Sequence, residues 1–310
     1  MTPAILVIGN VNVDFILGPV TPWPRPGTET IFPQSELRIG GAAGNSALTL
    51  QALGARFRIL CNMGDDIFGR WLIDSFKPDS RRWPIAPTPT TASACLAHPN
   101  GERTFLTSHG HLAVTSAKDV LRLLPKRAMK GDIALLCGGF LSPLLVLDYD
   151  QLMETLRARG FEIALDTGWP SGGWTPARRR HVRRWIGKCD HILLNEIESD
   201  GLSGKRNVSA AGQWLLQHTK AGAAVVIKRG PLGALAWQDG KRVDIPAPRV
   251  KVVDTTGAGD VFNAGYLFGR LQGQGLKQSV SAGVRIASRV IATSPRHYGP
   301  RRHGAGMPRG

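Results

Sequence analysis

Short apolar runs recur along the chain and constrain its fold more than any other feature: AILVIG (4–9), RILCNMG (58–64), DIALLCGG (132–139), FEIALDTG (161–168), HILLNE (191–196) and AAVVIKRG (223–230). Each has the length of a strand, and most show no alternation of apolar and polar residues. Runs of that kind are buried on both faces, as the strands of a parallel sheet are. Between them lie stretches with helical periodicity: AGNSALTLQALG (43–54), DYDQLMETLRARG (148–160) and SAAGQWLLQHTKAG (209–222). Gly54, Gly160 and Gly222 stand where helix C-terminal glycines belong. Strand and helix in repeated alternation predict a right-handed α/β sandwich around a mostly parallel sheet.

Two regions break that pattern. Residues 12–40 are rich in Pro and β-formers with no helical period, and residues 91–109 read as two alternating strands around Asn100-Gly101, a strong hairpin signal. Together they predict a small sheet outside the parallel core, a lid beside it. A second hairpin, GALAWQDGKRVDIPA (233–247), is expected to turn at Asp239-Gly240.

The balance of 39 Lys and Arg against 23 Asp and Glu gives a net charge of +16, a signature of nucleic-acid binding or of an anionic substrate. The excess is partly local. ARRRHVRRW (177–185) reads as the solvated face of a helix, and the basic stretch 296–310 as a disordered tail. No interleaving of aromatic and basic residues accompanies them, which argues against nucleic acid. No apolar stretch is long enough for a bilayer, and MTPAILVIGN lacks the basic region of a signal peptide. Cys61, Cys95, Cys137 and Cys189 lack metal or redox spacing, so they read as buried, reduced thiols of a cytoplasmic protein.

The chemistry concentrates in VKVVDTTGAGDVFNAGYLFGRLQ (250–272). VKVVD reads as a strand or strand end and DVFNAGYLFGRL as a helix with Val261, Ala264, Gly265 and Phe268 on one side. TTGAG is the turn between them. Glycines there let a ligand approach the backbone. The first amides of a helix lack internal partners and point outward, so Gly257, Ala258 and Gly259 would offer N–H groups to a phosphoryl group. Asp260 follows in the first helical turn. It is either a cap or a base that takes the proton from an attacking hydroxyl. The spacing matches neither of the common phosphate-loop fingerprints.

DTTGAGDVFNAGYLFG resembles the C-terminal signature of the ribokinase-like (PfkB) carbohydrate kinases, and GGAAGNSALTLQALGA (40–55) is similar to their N-terminal signature. The resemblance covers about residues 4–295. It implies a ribokinase-like three-layer sandwich with a mostly parallel central sheet and a small β lid. The expected organisation is a single kinase domain over 1–295, with lid segments at about 12–40 and 91–109, and the tail beyond. It also implies an ATP- and Mg2+-dependent kinase in which Asp260 is the general base and Gly257, Ala258 and Gly259 form the anion hole.

By the same resemblance Asp14 in GNVNVDFI grips sugar hydroxyls, as a forked acceptor suits a diol, and Gly40, Gly41 and Asn45 form the substrate loop. Asn45 also reads as a helix N-cap. NEIE (195–198) matches the N-x-x-E motif, with Asn195 and Glu198 holding the magnesium–phosphate assembly largely through water. IKRGPLGAL matches the nucleotide side, with Lys228 reaching toward the phosphates and Gly230 and Gly233 at the close approach. Thr256 belongs to the same side. Asp254 and Thr256 match positions that hold a monovalent cation such as K+ in some members. In GDDIFG (64–69), Asp65 or Asp66 is expected to start a helix and Gly69 to allow packing. One departure is plain: many members carry D-x-N-x-R around residue 166, and DTGWPSGGW keeps only Asp166. Trp169 is a candidate to pack over a bound ring.

The first functional reading is an ATP-dependent kinase of a small sugar or sugar acid. A nucleoside kinase of the same family is the alternative, with Phe15, Trp23 and Phe32 in the lid region as candidate walls for a base. A catalytically silent sugar-binding regulator is the reading from another class, and the retained Asp260 argues against it. Arg103 in GERTF is either a contact to a substrate carboxylate or a hairpin residue facing solvent. Unpaired lid edges suggest a homodimer through the lid.

Overall fold

The computed structural model describes residues 3–98, 103–293 and 296–298. Its strands are β1 (Ile5–Gly9), β2 (Asn12–Gly18), β3 (Gln34–Gly40), β4 (Phe57–Leu60), β5 (Met63–Gly64), β6 (Ile85–Ala86), β7 (Ala92–Ala97), β8 (Arg103–Thr107), β9 (Ile133–Cys137), β10 (Glu162–Asp166), β11 (His191–Asn195), β12 (Ala224–Lys228), β13 (Ala234–Gln238) and β14 (Lys241–Ile245). Its helices are α1 (Ala42–Ala52), α2 (Ile67–Ser75), α3 (Ala117–Leu123), α4 (Pro143–Leu147), α5 (Tyr149–Ala158), α6 (Pro176–Ile186), α7 (Glu196–Ser203), α8 (Val208–His218), α9 (Ala258–Leu271) and α10 (Leu276–Val290).

The central sheet has 8 strands in the order β14-β13-β12-β11-β10-β9-β1-β4. The six strands from β12 to β4 pair parallel, and the hairpin β13–β14 adds an antiparallel edge. The apolar runs became parallel strands because they are buried throughout: Ile5, Val7, Leu135, Leu136, Ile192 and Val225 are all 0% exposed. The run 58–64 is divided between β4 and the short β5, which pairs with β6 outside the main sheet.

Helix α9 packs against both α1 and α10, while α3, α5, α6, α7 and α8 form a second contiguous group, and both groups lie on the sheet. Gly54, Gly160 and Gly222 take left-handed φ values of 67°, 93° and 78° beyond helices α1, α5 and α8. Asp66 caps α2 by accepting from Gly69 N at 2.8 Å, and a Cβ on Gly69 would stand 2.0 Å from Gly64 O. The Arg-rich stretch is α6, with Val182, Trp185 and Ile186 buried and Arg179, Arg180, Arg183 and Arg184 exposed.

Segments 12–40 and 91–109 supply all 4 strands of a second sheet, ordered β3-β2-β7-β8. The expected turn at Asn100-Gly101 lies outside the described residues. The turn at Asp239-Gly240 is present, with φ of 50° and 72° at the two positions.

Two expectations need correction. VKVVD forms no strand: Val250, Val252 and Val253 are 37%, 53% and 44% exposed, and the amides of Val253 and Asp254 both donate to Ile291 O. A carbonyl at the end of α10 takes the donors that a sheet neighbour would have used. The basic tail does not begin free, either. Arg296 and Tyr298 pack onto the core, and the Arg296 side chain is 3% exposed. Residues 299–310 lie outside the described part of the chain. Among the described residues no helix is long and apolar enough to cross a membrane.

Candidate active site

The site lies beyond the carboxyl ends of the parallel strands, where β1 and β9 are neighbours. From β1 the chain builds the sheet toward β4 on one side, and from β9 toward β12 on the other. A sheet that changes direction in this way opens a crevice at that point. Asn10 and Gly138 follow those two strands so closely that a Cβ on Gly138 would stand 1.8 Å from Asn10 Oδ1. A cavity of about 310 Å³ opens there, with Asp14, Asn45, Gly257 and Asp260 among its lining residues and Phe105, Phe140 and Trp169 in its walls.

Asp14 reaches the cavity from β2. Its Oδ1 accepts from Asn12 Nδ2 at 2.7 Å. Burial pushes its carboxyl up to about 6, against the opposing pull of Arg38 and Asn12. The double glycine leaves room for it: a Cβ on Gly40 would stand 2.1 Å from the Asp14 carboxylate carbon, and one on Gly41 (φ 83°) 2.4 Å from Asn10 O. Arg38 is the cross-strand partner of Asp14 in the β2–β3 pairing.

Helix α9 begins at Ala258 behind Gly257, whose φ of 68° forms the N-cap without any side-chain bond. Asp260 is therefore not the cap; it stands in the first turn. Its Oδ2 accepts from Asn45 Nδ2 at 3.0 Å, and its backbone carbonyl accepts from Ser46 Oγ at 3.2 Å. Asn45 is not a cap either, since α1 starts three residues earlier behind Gly41. Loss of surrounding water, and then the nearby Asp166 carboxylate, push Asp260 up to about 7, with Asn45 and Lys228 pulling the other way.

Of the three amides expected to form an anion hole, Ala258 N donates to Thr255 O at 3.1 Å. A turn in the chain uses that donor, which leaves Gly257 and Gly259 without a partner for theirs among the described residues. Lys228 ends β12 just below: a Cβ added at Gly259 would lie 3.4 Å from its Nζ. Its ammonium donates to Asp166 Oδ2 at 2.6 Å and Asn263 Oδ1 at 3.2 Å, and Asn263 Nδ2 donates to Asp166 in turn. Asp166 thus finds partners on β12 and α9. Burial alone would lower the Lys228 ammonium, but Asp166 and Glu198 outweigh it and hold it protonated.

Asn195 and Glu198 cap α7 reciprocally, at 2.8 and 2.9 Å. Glu198 is 5% exposed. Burial, and then Asp166, push its carboxyl up to about 7. Gly230 has open space around it, while Gly233 (φ 84°) has a local reason, because a Cβ there would meet Ile245 O of the neighbouring strand at 1.9 Å.

Arg103 does not face solvent. Its Nη2 lies 3.2 Å from Asp254 Oδ1, and Arg38 Nη1 lies 2.7 Å from Asp254 Oδ2. Asp254 Oδ1 accepts from Thr256 N at 2.9 Å, but a monovalent cation does not fit between the two residues. The Arg296 guanidinium donates to Thr256 O, to Asp254 O at 3.1 Å and to Asp254 Oδ2 at 2.9 Å. Tyr298, two residues on, donates its hydroxyl hydrogen to Asn45 Oδ1 at 3.2 Å.

Arg38, Asn263, Arg296 and Tyr298 are the residues that sequence reasoning missed. Arg38 alone left a signal: a β2–β3 hairpin that aligns Gly40 with Asn12 also aligns Arg38 with Asp14. Asn263 meets Asp166 across 97 residues of sequence, Arg296 meets Thr256 across 40, and Tyr298 meets Asn45 across 253.

Comparison with known proteins follows the same lines. A model of the pfkB family carbohydrate kinases matches residues 2–295. A fructokinase of Rhizobium leguminosarum bv. trifolii is 28% identical over 278 residues, covering 85% of this chain and 81% of that protein. A cytidine kinase of Thermococcus kodakarensis is 25% identical over 291 residues, covering 93% and 95%. Among solved structures, a putative ribokinase II from E. coli in complex with ATP and Mg2+ has a TM-score of 0.80 at 19% identity, covering 94% of this chain and 93% of that one.

Proposed function

The chain belongs to the pfkB family of carbohydrate kinases, and we propose that it transfers the γ-phosphoryl group of ATP to a hydroxyl of a small sugar or sugar acid. The observation that carries this reading is a carboxylate with a raised proton affinity, Asp260, in the cavity that also holds Asp14 and Gly257, whose helix-terminal amide has no partner among the described residues.

In this reading Asp14 accepts two acceptor hydroxyls in a fork. Asn45 fixes the Asp260 carboxylate through the 3.0 Å bond, so that its other oxygen takes the proton of the attacking hydroxyl. With its carboxyl near 7, Asp260 is ionised for much of the enzyme at neutral pH, yet basic enough to hold a proton in transit. The amides of Gly257 and Gly259 and the Lys228 ammonium face the oxygens of the transferring group. ATP and Mg2+, when bound, supply the phosphoryl group and offset its charge. Glu198 and Asn195 would hold such an ion through water, as their oxygens suit it.

The small sheet is proposed to close over the acceptor and exclude water, a competing phosphoryl acceptor. Its edge strands β3 and β8 expose Leu37 and Leu106, at 47% and 57%, which suits pairing of two copies through the lid. A nucleoside acceptor is the second reading, and the aromatic walls favour it: Phe105, Phe140 and Trp169 line the cavity, with Trp169 53% exposed and free to meet a flat base. A coupled assay of ATP turnover over hexoses, pentoses, 2-keto-3-deoxy sugar acids and nucleosides tests both. Turnover with a nucleoside and none with any sugar would overturn the first reading.

A further inference from the structure

We propose that the guanidinium of Arg296 is this enzyme's built-in cation, doing from within the chain what a monovalent ion does in relatives that bind one at these positions. The inference rests on the kinase reading above for its catalytic part, and on geometry alone for its binding part.

The donors a cation would use are the backbone carbonyls of Asp254 and Thr256 and the Asp254 carboxylate. Arg296 reaches all three: Nη1 to Thr256 O, Nη2 to Asp254 O at 3.1 Å and to Asp254 Oδ2 at 2.9 Å. A planar fork with several fixed donors matches three such acceptors at once, as a lysine ammonium on a flexible stem does not. The side chain is 3% exposed, so the contact is enclosed by the protein rather than lying on its surface. Arg38 and Arg103 hold the remaining faces of the Asp254 carboxylate, at 2.7 and 3.2 Å. A K+ ion entering here would have to displace Arg296, which already occupies all three acceptors.

The consequence for catalysis follows from peptide geometry. Thr256 C=O and Gly257 N–H belong to one planar trans peptide, in which the two bonds point in opposite directions. Tying the carbonyl to Arg296 aims the Gly257 amide the other way, into the cavity where the phosphoryl oxygens would lie. Arg296 is thus a positioning residue for the anion hole. Its charge also pulls against the upward push on Asp260.

The test compares the parent with Arg296→Ala and Arg296→Lys in buffers whose only monovalent cation is tetramethylammonium, then with KCl or guanidinium chloride added. Melting curves are recorded alongside phosphorylation rates. The parent is expected to keep its rate and its melting temperature whether or not K+ is present. Arg296→Ala should lose on the order of 10²-fold in kcat, the scale of losing one oxyanion-hole donor. Added guanidinium or K+ should recover part of that loss and raise the melting temperature of this variant only. If Arg296→Ala does not fold, Arg296→Lys carries the same comparison, and the parent's response to K+ stands by itself. A parent whose rate or melting temperature depends on K+ overturns the proposal. So does a variant that folds and loses rate but responds to neither ion, since a purely structural arginine would behave that way. If the parent phosphorylates no acceptor, the kinase reading fails, and the melting curves still decide the cation question.

Discussion

Asn45 Nδ2 donates to Asp260 Oδ2 at 3.0 Å and so joins the first turn of α9 to α1, across 215 residues of sequence. The bond uses one oxygen of the carboxylate and leaves the other to work. It also makes the reactivity of Asp260 separable from the packing around it, and the first experiment depends on that.

Asp260→Asn keeps the shape and can still accept from Asn45 through its amide oxygen, but it cannot take a proton. Its kcat should fall by about 10²–10⁴-fold, with melting temperature and ATP affinity close to the parent. A kcat within a few-fold of the parent would mean that the base has been misassigned.

The pH profile follows from the raised carboxyl. A base works when deprotonated, so kcat should climb as pH rises through about 7 and level off above it. The sign for stability is opposite. The folded protein binds the Asp260 proton more tightly than the unfolded chain does, so this group's contribution is present below the ordinary carboxylate range. It is lost as pH rises through about 7. Glu198 titrates in the same range, so the unfolding profile should be compared with that of Asp260→Asn to isolate the part due to Asp260. A kcat profile flat across neutral pH would count against a titrating base here.

Asp14→Ala removes the acceptor's grip and leaves the proton transfer untouched. Hydrogen bonds to a charged group are worth about 1.5–3 kcal/mol, so KM for the true acceptor should rise by roughly 10- to 100-fold with a smaller change in kcat. An unchanged KM would move the acceptor pocket away from β2.

Gly257→Ala meets two obstacles: a left-handed φ of 68°, and Asn45 Nδ2 at 2.6 Å from the new Cβ. Gly54→Ala meets only the first, at φ 67° with nothing within 4 Å. Both should lose the roughly 1–2 kcal/mol of a left-handed alanine in chemical denaturation. Gly257→Ala alone should also lose kcat, because pushing Asn45 disturbs Asp260. Equal kcat in the two variants would remove Asn45 from the mechanism.

Amide exchange should slow in β2, β3, β7 and β8 when the acceptor is added. Exchange in the small sheet that does not change at saturating acceptor would count against a lid.

How much of this was legible in the sequence differs from residue to residue. The buried strands could be read because burial on both faces leaves an unbroken apolar run, as in Ile133–Cys137. Asp239-Gly240 could be read because its turn needs two left-handed residues. VKVVD misled because β-branched residues favour extended backbone whether or not a neighbouring strand is present, and here Ile291 O took the amides. Asn263 sat unnoticed in a helix whose buried side looked purely apolar, and nothing local points to Asp166. Arg296 was hidden in a stretch whose composition reads as solvated, because composition does not record that three acceptors elsewhere in the chain match its fork.

The contact of Arg296 with Thr256, and that of Tyr298 with Asn45, bear on how the enzyme is made as well as on how it works. A chain emerging from the ribosome folds from its N-terminal end. Once α10 has appeared, every strand of the central sheet is available, while the residues that lock the Thr256 carbonyl and Asn45 are still inside the exit tunnel. Such a nascent kinase would have its core before its competence. Phosphoryl transfer would reach its full rate only once residues 296–298 had cleared the ribosome and docked.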